Sequence, residues 1–343
     1  MIIGAGASKE FGLPTGDELK QQIARALDIR YDLLTQSTGA RLIKSAFTVA
    51  AEKQTGSLDI GPYLSQAHRI RGALLQAISI DNLLDAHKGN NALELCGKLA
   101  IAISILSAER NSNLWIDARA RESRLPFEHL KKSWAIPFWQ ILTENCEFSD
   151  LPDRLARITV ITFNYDRCIE HFLYESIQNY FGVEPDAAAR VLECLTIFHV
   201  YGRVGPLPWQ CAIDSIPYGG EPSPEQLFRL ALGIRTFTEG TDPKTSDIRS
   251  IRQRYASAEK VLFLGFGFHR LNLEVFCGDN NPHIGGGPVR YYATATGISN
   301  SDCDAIKREL GQLCEIRAEY FEIRNDLYCH QIFSEYWRSL TWS

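Results

Sequence analysis

Ile158-Thr159-Val160-Ile161-Thr162-Phe163-Asn164-Tyr165-Asp166 is the stretch that decides the fold. Its first five residues are mostly β-branched, the composition of a strand buried on both faces. The Asn and Asp then break the run, and Cys168, Ile169, Phe172, Leu173 and Ile177 follow at the spacing of one helix face. Four other short apolar runs end in a polar or Gly-rich turn. Met1 to Ile3 enters Gly4-Ala5-Gly6-Ala7-Ser8, and Leu195 to Val200 leads into Tyr201-Gly202. Val261 to Leu264 enters Gly265-Phe266-Gly267-Phe268, and Val289 to Ala293, read as the last strand, enters Thr294-Ala295-Thr296-Gly297. Strands alternating with helices predict an α/β class: a Rossmann-like, mainly parallel sheet covered on both faces.

Between Tyr31 and Asp150 strand signals are missing, and long Ala- and Leu-rich segments have helical period. The expected organisation is a Rossmann domain from residues 1–30 plus 151–343, with 31–150 as a large helical insertion or layer. Thr15-Gly16-Asp17-Glu18 has the form of a capping box, with Leu19, Ile23, Ala26 and Leu27 on the face of the helix it opens.

The net charge of −5 offers no overall basic field for nucleic acid, so no direct nucleic-acid binding is expected. No apolar run approaches the roughly 20 residues that cross a bilayer, and the first residues lack the form of a signal peptide. The nine cysteines include no C-x-x-C pair, which predicts free thiols in a reducing cytoplasm and no zinc site.

Ligands of open α/β sheets bind beyond the carboxyl ends of the strands, where these turns fall. Gly4 and Gly6 either let a backbone approach a phosphate or make a tight strand–helix turn. Lys9 occupies the place of the third glycine of a dinucleotide fingerprint, and the region before Asp28 reads as helix, so a dehydrogenase fits poorly. Asn164 and Asp166 hold a ribose hydroxyl, a carboxamide or a water, or else form an Asx turn and helix cap. His199 is a general base or a hydrogen-bonded structural residue. Gly265 and Gly267, with Asn272 nearby, mark a second close approach or a plain turn.

In this order, GAGAS with GLPTG, TFNYD, HVYG and GFGF resemble the NAD-binding motifs of SIR2-like (sirtuin-related) proteins. Ser79 to His87 (SIDNLLDAH) resembles the bacterial antiphage-defence branch, most like the SIR2 subunit of SIR2–HerA systems. The resemblance implies that Gly4, Ala5, Gly6 and Ser8 contact NAD phosphates, with Pro14 and Thr15 on the adjoining loop. It implies that Asn164 orients the nicotinamide ribose or an attacking water, that Asp166 holds the carboxamide and that His199 is the base. Gly265, Phe266 and Gly267 would line the adenosine side, closed by Thr294.

Three departures bear on function. The zinc-binding cysteine pairs of sirtuins are absent, the residues after GLP differ, and Tyr201 rather than histidine precedes Gly202, so the histidine is His199 in a shifted position or is lost. The resemblance then implies an NAD+ hydrolase giving nicotinamide and ADP-ribose, with NAD as substrate and no metal. It would act as the effector of an abortive-infection complex. A non-catalytic NAD- or ADP-ribose-binding scaffold and a deacylase or ADP-ribosyltransferase are the alternatives. The implied partners are further copies of the chain and a HerA-like ATPase, or an Argonaute-type protein, with no membrane.

Overall fold

Alternate residues of the central strands face opposite cores, which is why those runs are apolar throughout. The computed structural model describes residues 1–32, 35–117, 124–242, 247–276, 290–313 and 317–341. Eight strands occur there: β1 (Ile2–Ile3), β2 (Arg30–Asp32), β3 (Thr35–Thr38), β4 (Thr159–Thr162), β5 (Thr196–His199), β6 (Lys260–Leu264), β7 (Arg290–Thr294) and β8 (Phe321–Arg324). Six form one sheet in the order β5-β4-β1-β6-β7-β8, every pair parallel. Numbered among themselves, these six run 3-2-1-4-5-6, the doubly wound Rossmann order. The order reverses between β1 and β6, so the loops after those two strands flank the crevice.

Ile2, Ile161, Val261, Phe263 and Tyr291 point into one core, and Ile3, Val160, Leu262, Leu264 and Tyr292 into the other. On the first face lie the helices Gly16–Ala26, Arg41–Thr55, Gly61–Ala73 and most of Asn91–Arg110. On the second lie Ala135–Thr143 and Cys168–Phe181, the latter through Cys168, Ile169, Phe172, Leu173 and Ile177 as its spacing predicts. The helical stretch 31–150 thus contributes to both cores of the sheet.

Three expectations change. The sheet has a sixth strand, β8, beyond the run read as the last; Phe321 and Ile323 face inward but Glu322 and Arg324 interrupt the apolar signal. A hairpin, β2 with β3, occurs where strand signals were missing, because its mostly exposed residues have no apolar alternation to read. The 20-residue helix Asn91–Arg110 is long and apolar enough to cross a bilayer, but fourteen of its residues are buried within the protein. It is a core helix.

That helix ends at a buried ion pair. Glu109 accepts from the Arg167 backbone N–H (3.2 Å), Nε (3.0 Å) and Nη2 (2.5 Å), and from Gly219 N–H (3.0 Å). Arg167 Nη1 donates to the Ile216 carbonyl at 2.7 Å, and Nη2 also donates to that of Pro217 at 3.2 Å. Both side chains are completely buried, and together they tie the helical layer to the turn after β4 and to the loop at 216–219.

Removing one partner of a buried pair strands the other charge. Glu109→Ala is expected to destabilise the fold by about 3–5 kcal/mol in urea unfolding. A loss below about 1 kcal/mol would mean that water reaches Arg167.

Candidate functional site

The loops after β1 and β6 meet backbone to backbone. Gly4 N–H donates to the Leu264 carbonyl and Gly6 N–H to that of Gly265, both at 3.0 Å. A Cβ on Gly4 would lie 2.5 Å from Gly265 O, and one on Gly6 2.8 Å from Gly265 Cα. Gly265 adopts φ +54°, and a Cβ there would lie 2.1 Å from Ala7 N. Thr294 reaches across from β7, its Oγ1 accepting from Gly265 N–H at 2.9 Å. Gly267 is less constrained, the nearest neighbour of a Cβ there being the His269 ring at 3.3 Å.

This geometry shows how the residues of the implied phosphate cradle are bonded within the protein. The N–H groups of Gly4, Gly6, Ala7 and Gly265 all bond protein acceptors, so they are not donors for a phosphate in this arrangement. Thr294 supports the loop from beneath. Phe266 is only 3% exposed and belongs to an aromatic core, its ring 5.1 Å from that of Phe163. Phe268 packs on both Phe263 and Phe266 at a left-handed φ of +51°, a conformation a bulky residue keeps only where its surroundings enforce it.

The turn after β4 is joined to the turn after β1. Asn164 Nδ2 donates to the Gly4 carbonyl at 3.0 Å and to Ser8 Oγ at 2.9 Å. Both amide hydrogens are thereby engaged, and Oδ1 is left as the acceptor end. Asp166 accepts from Cys168 N–H at 3.1 Å, the bond of an Asx turn at the entry to the following helix. Burial raises its carboxyl above the usual range, opposed by side-chain hydrogen bonds from Cys168 and Ser8. Ser8, Asn164 and Asp166 therefore form one buried cluster. Pro14 is buried, and Thr15 takes part in the expected capping box, its N–H and hydroxyl donating to Glu18 at 2.8 and 3.1 Å.

His199 stands at the end of β5, paired with Thr162 of β4. Its Nε2 lies 2.7 Å from Glu170 Oε1, and its Nδ1 lies 3.4 Å from the Asn164 carbonyl. Arg203 Nη1 donates to the same Glu170 oxygen at 3.1 Å. Gly202, at φ +73°, lies so close to Gly233 that a Cβ would come within 2.0 Å of its carbonyl. Gly202 is thus a packing glycine.

The segment Ser79 to His87 is brought beside these turns. Asp81 accepts from the Tyr165 hydroxyl, and Tyr201 donates to Asn272 Oδ1. Burial pushes the Asp81 carboxyl up to about 6, against the hydrogen bond from Tyr165 and with help from the nearby Asp85 charge. Sequence reasoning did not single out Glu170, Arg203 or Asp81. A weak signal was present for Glu170, an acid set between Cys168-Ile169 and Phe172-Leu173 of a strongly apolar helix start.

Of the sequence-predicted residues, Gly4, Gly6, Ser8, Asn164, Asp166, His199, Gly265 and Thr294 are linked by the bonds above. Ala5 begins the short helix Ala5–Lys9 next to them. Among the described residues no three His, Cys, Asp or Glu side chains gather as a metal set, and seven free cysteines occur, Cys277 and Cys314 lying outside those residues. A cleft of about 420 Å³, lined among others by Met1, Thr159 and Lys260, opens at the opposite, amino edge of the sheet. Searched against protein-family models, curated proteins and solved structures, the chain matches none.

Gly265→Ala is expected to cost about 2 kcal/mol or more, combining a left-handed φ with a backbone clash. Gly56→Ala, at φ +67° with nothing within 4 Å of its Cβ, isolates the φ effect at about 1 kcal/mol. Equal losses in thermal unfolding would show that the two loops part readily. For Asp81, a raised folded value means that stability falls as pH rises from about 4 to about 6. Asp81→Asn, which keeps an acceptor for Tyr165, should therefore match wild type near pH 4 and exceed it above pH 6 by on the order of 1 kcal/mol. Melting curves across that range test this, and an unchanged pH slope would refute it.

Proposed function

We propose that the chain is an NAD+ hydrolase that cleaves the nicotinamide–ribose bond. The observation that carries this reading is the placement of Asn164: in the turn after β4, bound by its NH2 to Gly4 and Ser8 of the loop that flanks the switch point, with its backbone carbonyl facing His199. The order of the SIR2-like motifs along the chain supports it independently.

In this mechanism nicotinamide departs through an oxocarbenium-like state stabilised by fixed dipoles. Asn164 Oδ1 orients a ribose hydroxyl or the attacking water. The water oxygen bonds the anomeric carbon, and its proton passes to His199 and then to solvent. NAD+ and water thereby give nicotinamide, ADP-ribose and a proton. Asp166 holds the carboxamide, the role the resemblance assigns to it.

An unrestrained NAD hydrolase would poison its host, so this reading includes gating by assembly. The chain would act in the cytoplasm as a homo-oligomeric effector of antiviral defence, with a HerA-like ATPase or an Argonaute-type protein as sensor. One observation favours a second reading, a scaffold that binds NAD or ADP-ribose without turnover. Both ring nitrogens of His199 face protein oxygens, and a base needs one of them free for its substrate.

Purified wild type, Asn164→Ala and His199→Ala, alone and with the protein encoded beside it, should be incubated with NAD and the products resolved. Wild type is expected to release nicotinamide and ADP-ribose, with each variant slower by about 10²-fold or more. Calorimetric NAD binding by wild type with no turnover in either setting would replace the hydrolase with the scaffold.

A further inference from the structure

Two glutamates are buried beside the turn after β4, and their bonding differs in kind. Glu109 has donors on both oxygens, as a structural carboxylate requires. Glu170 is 1% exposed, yet His199 and Arg203 both address Oε1, and Oε2 is buried with no hydrogen-bond partner. An orphaned carboxylate oxygen is a penalty that packing alone does not justify.

We propose that Glu170 is the positioning residue of His199, selecting the imidazole tautomer in which Nε2 carries the hydrogen and Nδ1 the lone pair. This rests on the reading of His199 as the base. In the opposite tautomer the Nε2 lone pair would face a carboxylate oxygen 2.7 Å away, a strong repulsion. With Nε2–H donating to Glu170, Nδ1 has only the long 3.4 Å approach to the Asn164 carbonyl. When Nδ1 takes a proton, that carbonyl becomes its acceptor and the Glu170 charge stabilises the cation. This is the role a buried carboxylate plays behind a catalytic histidine in acyl-transfer triads.

Glu170 must be ionised to do this. Burial raises its carboxyl, but the His199 cation when formed, the hydrogen bond from His199 Nε2–H and the Arg203 charge overcome that effect and hold it well below the usual range. The other charged or titratable groups within electrostatic reach of Glu170 are Asp166, Arg167 and His171. His171 is committed elsewhere, its Nε2 lying 2.9 Å from the Leu114 carbonyl.

The test is nitrogen NMR of ¹⁵N-histidine-labelled protein, with the His199 signals assigned by their loss in His199→Gln. In wild type at high pH, His199 is expected as the Nε2–H tautomer; the Nδ1–H form there would overturn the proposal without any further variant. Glu170→Leu, which replaces the buried carboxylate by an apolar group of similar size, should shift His199 toward the Nδ1–H form bonded to Asn164. In the NAD assay the same variant should lose roughly 10²-fold in kcat with KM within about threefold of wild type. A loss confined to KM, or an unchanged tautomer, overturns the proposal. If Glu170→Leu does not fold, the wild-type tautomer decides. If wild type turns over no NAD, the NMR result still stands by itself, so failure of the hydrolase reading and failure of the Glu170 assignment are distinguishable.

Discussion

Two backbone segments can touch only where no Cβ stands between them, and the molecule is organised around one such contact. The loops after β1 and β6 join through Gly4, Gly6 and Gly265, at the point where the strand order reverses. Because β1 is the central strand, this contact fixes the geometry of the crevice. Asn164 then ties the turn after β4 to the Gly4 carbonyl, and Thr294 ties the end of β7 to Gly265. Four adjacent strands thereby present their carboxyl-end loops as one unit.

Around that unit, buried charge is used in two ways. The Glu109–Arg167 pair has its donors matched by acceptors, and removing either partner would expose the full desolvation penalty of the other. Glu170 leaves one oxygen without a donor beside His199, and Asp81 retains a raised carboxyl beside Tyr165. The Asp81 charge is held at some loss of stability, the pattern expected where a site's electrostatics matter more than its packing.

Much of this could be read in the chain. Residues such as Val160-Ile161 or Val261-Leu262-Phe263 must be buried on both faces of a sheet, and the spacing of Cys168, Ile169, Phe172, Leu173 and Ile177 allowed only a helix with that face inward. Thr15 and Glu18 announced a cap, since a capping box is local chemistry. β8 was missed because Glu322 and Arg324 are half of its residues, and the β2–β3 hairpin because its residues are mostly exposed. The helix Asn91–Arg110 was legible as helical from its period, but its length of apolar surface and its burial are set by neighbours it meets only in the fold.

The sequence by itself determined five of the six sheet strands, their mainly parallel character and the positions of the turns at the carboxyl edge, because local periodicity and turn chemistry act over a few residues. Only the tertiary structure decided what the turn residues do. Gly4 and Gly6 face Gly265 rather than an open ligand space, Phe266 faces Phe163, and His199 faces Glu170, which is 29 positions away in the chain. Periodicity says which side of an element is buried, but not which side chain it meets there. That is set by the packing of elements distant in sequence, and it is where the chemistry of this site resides.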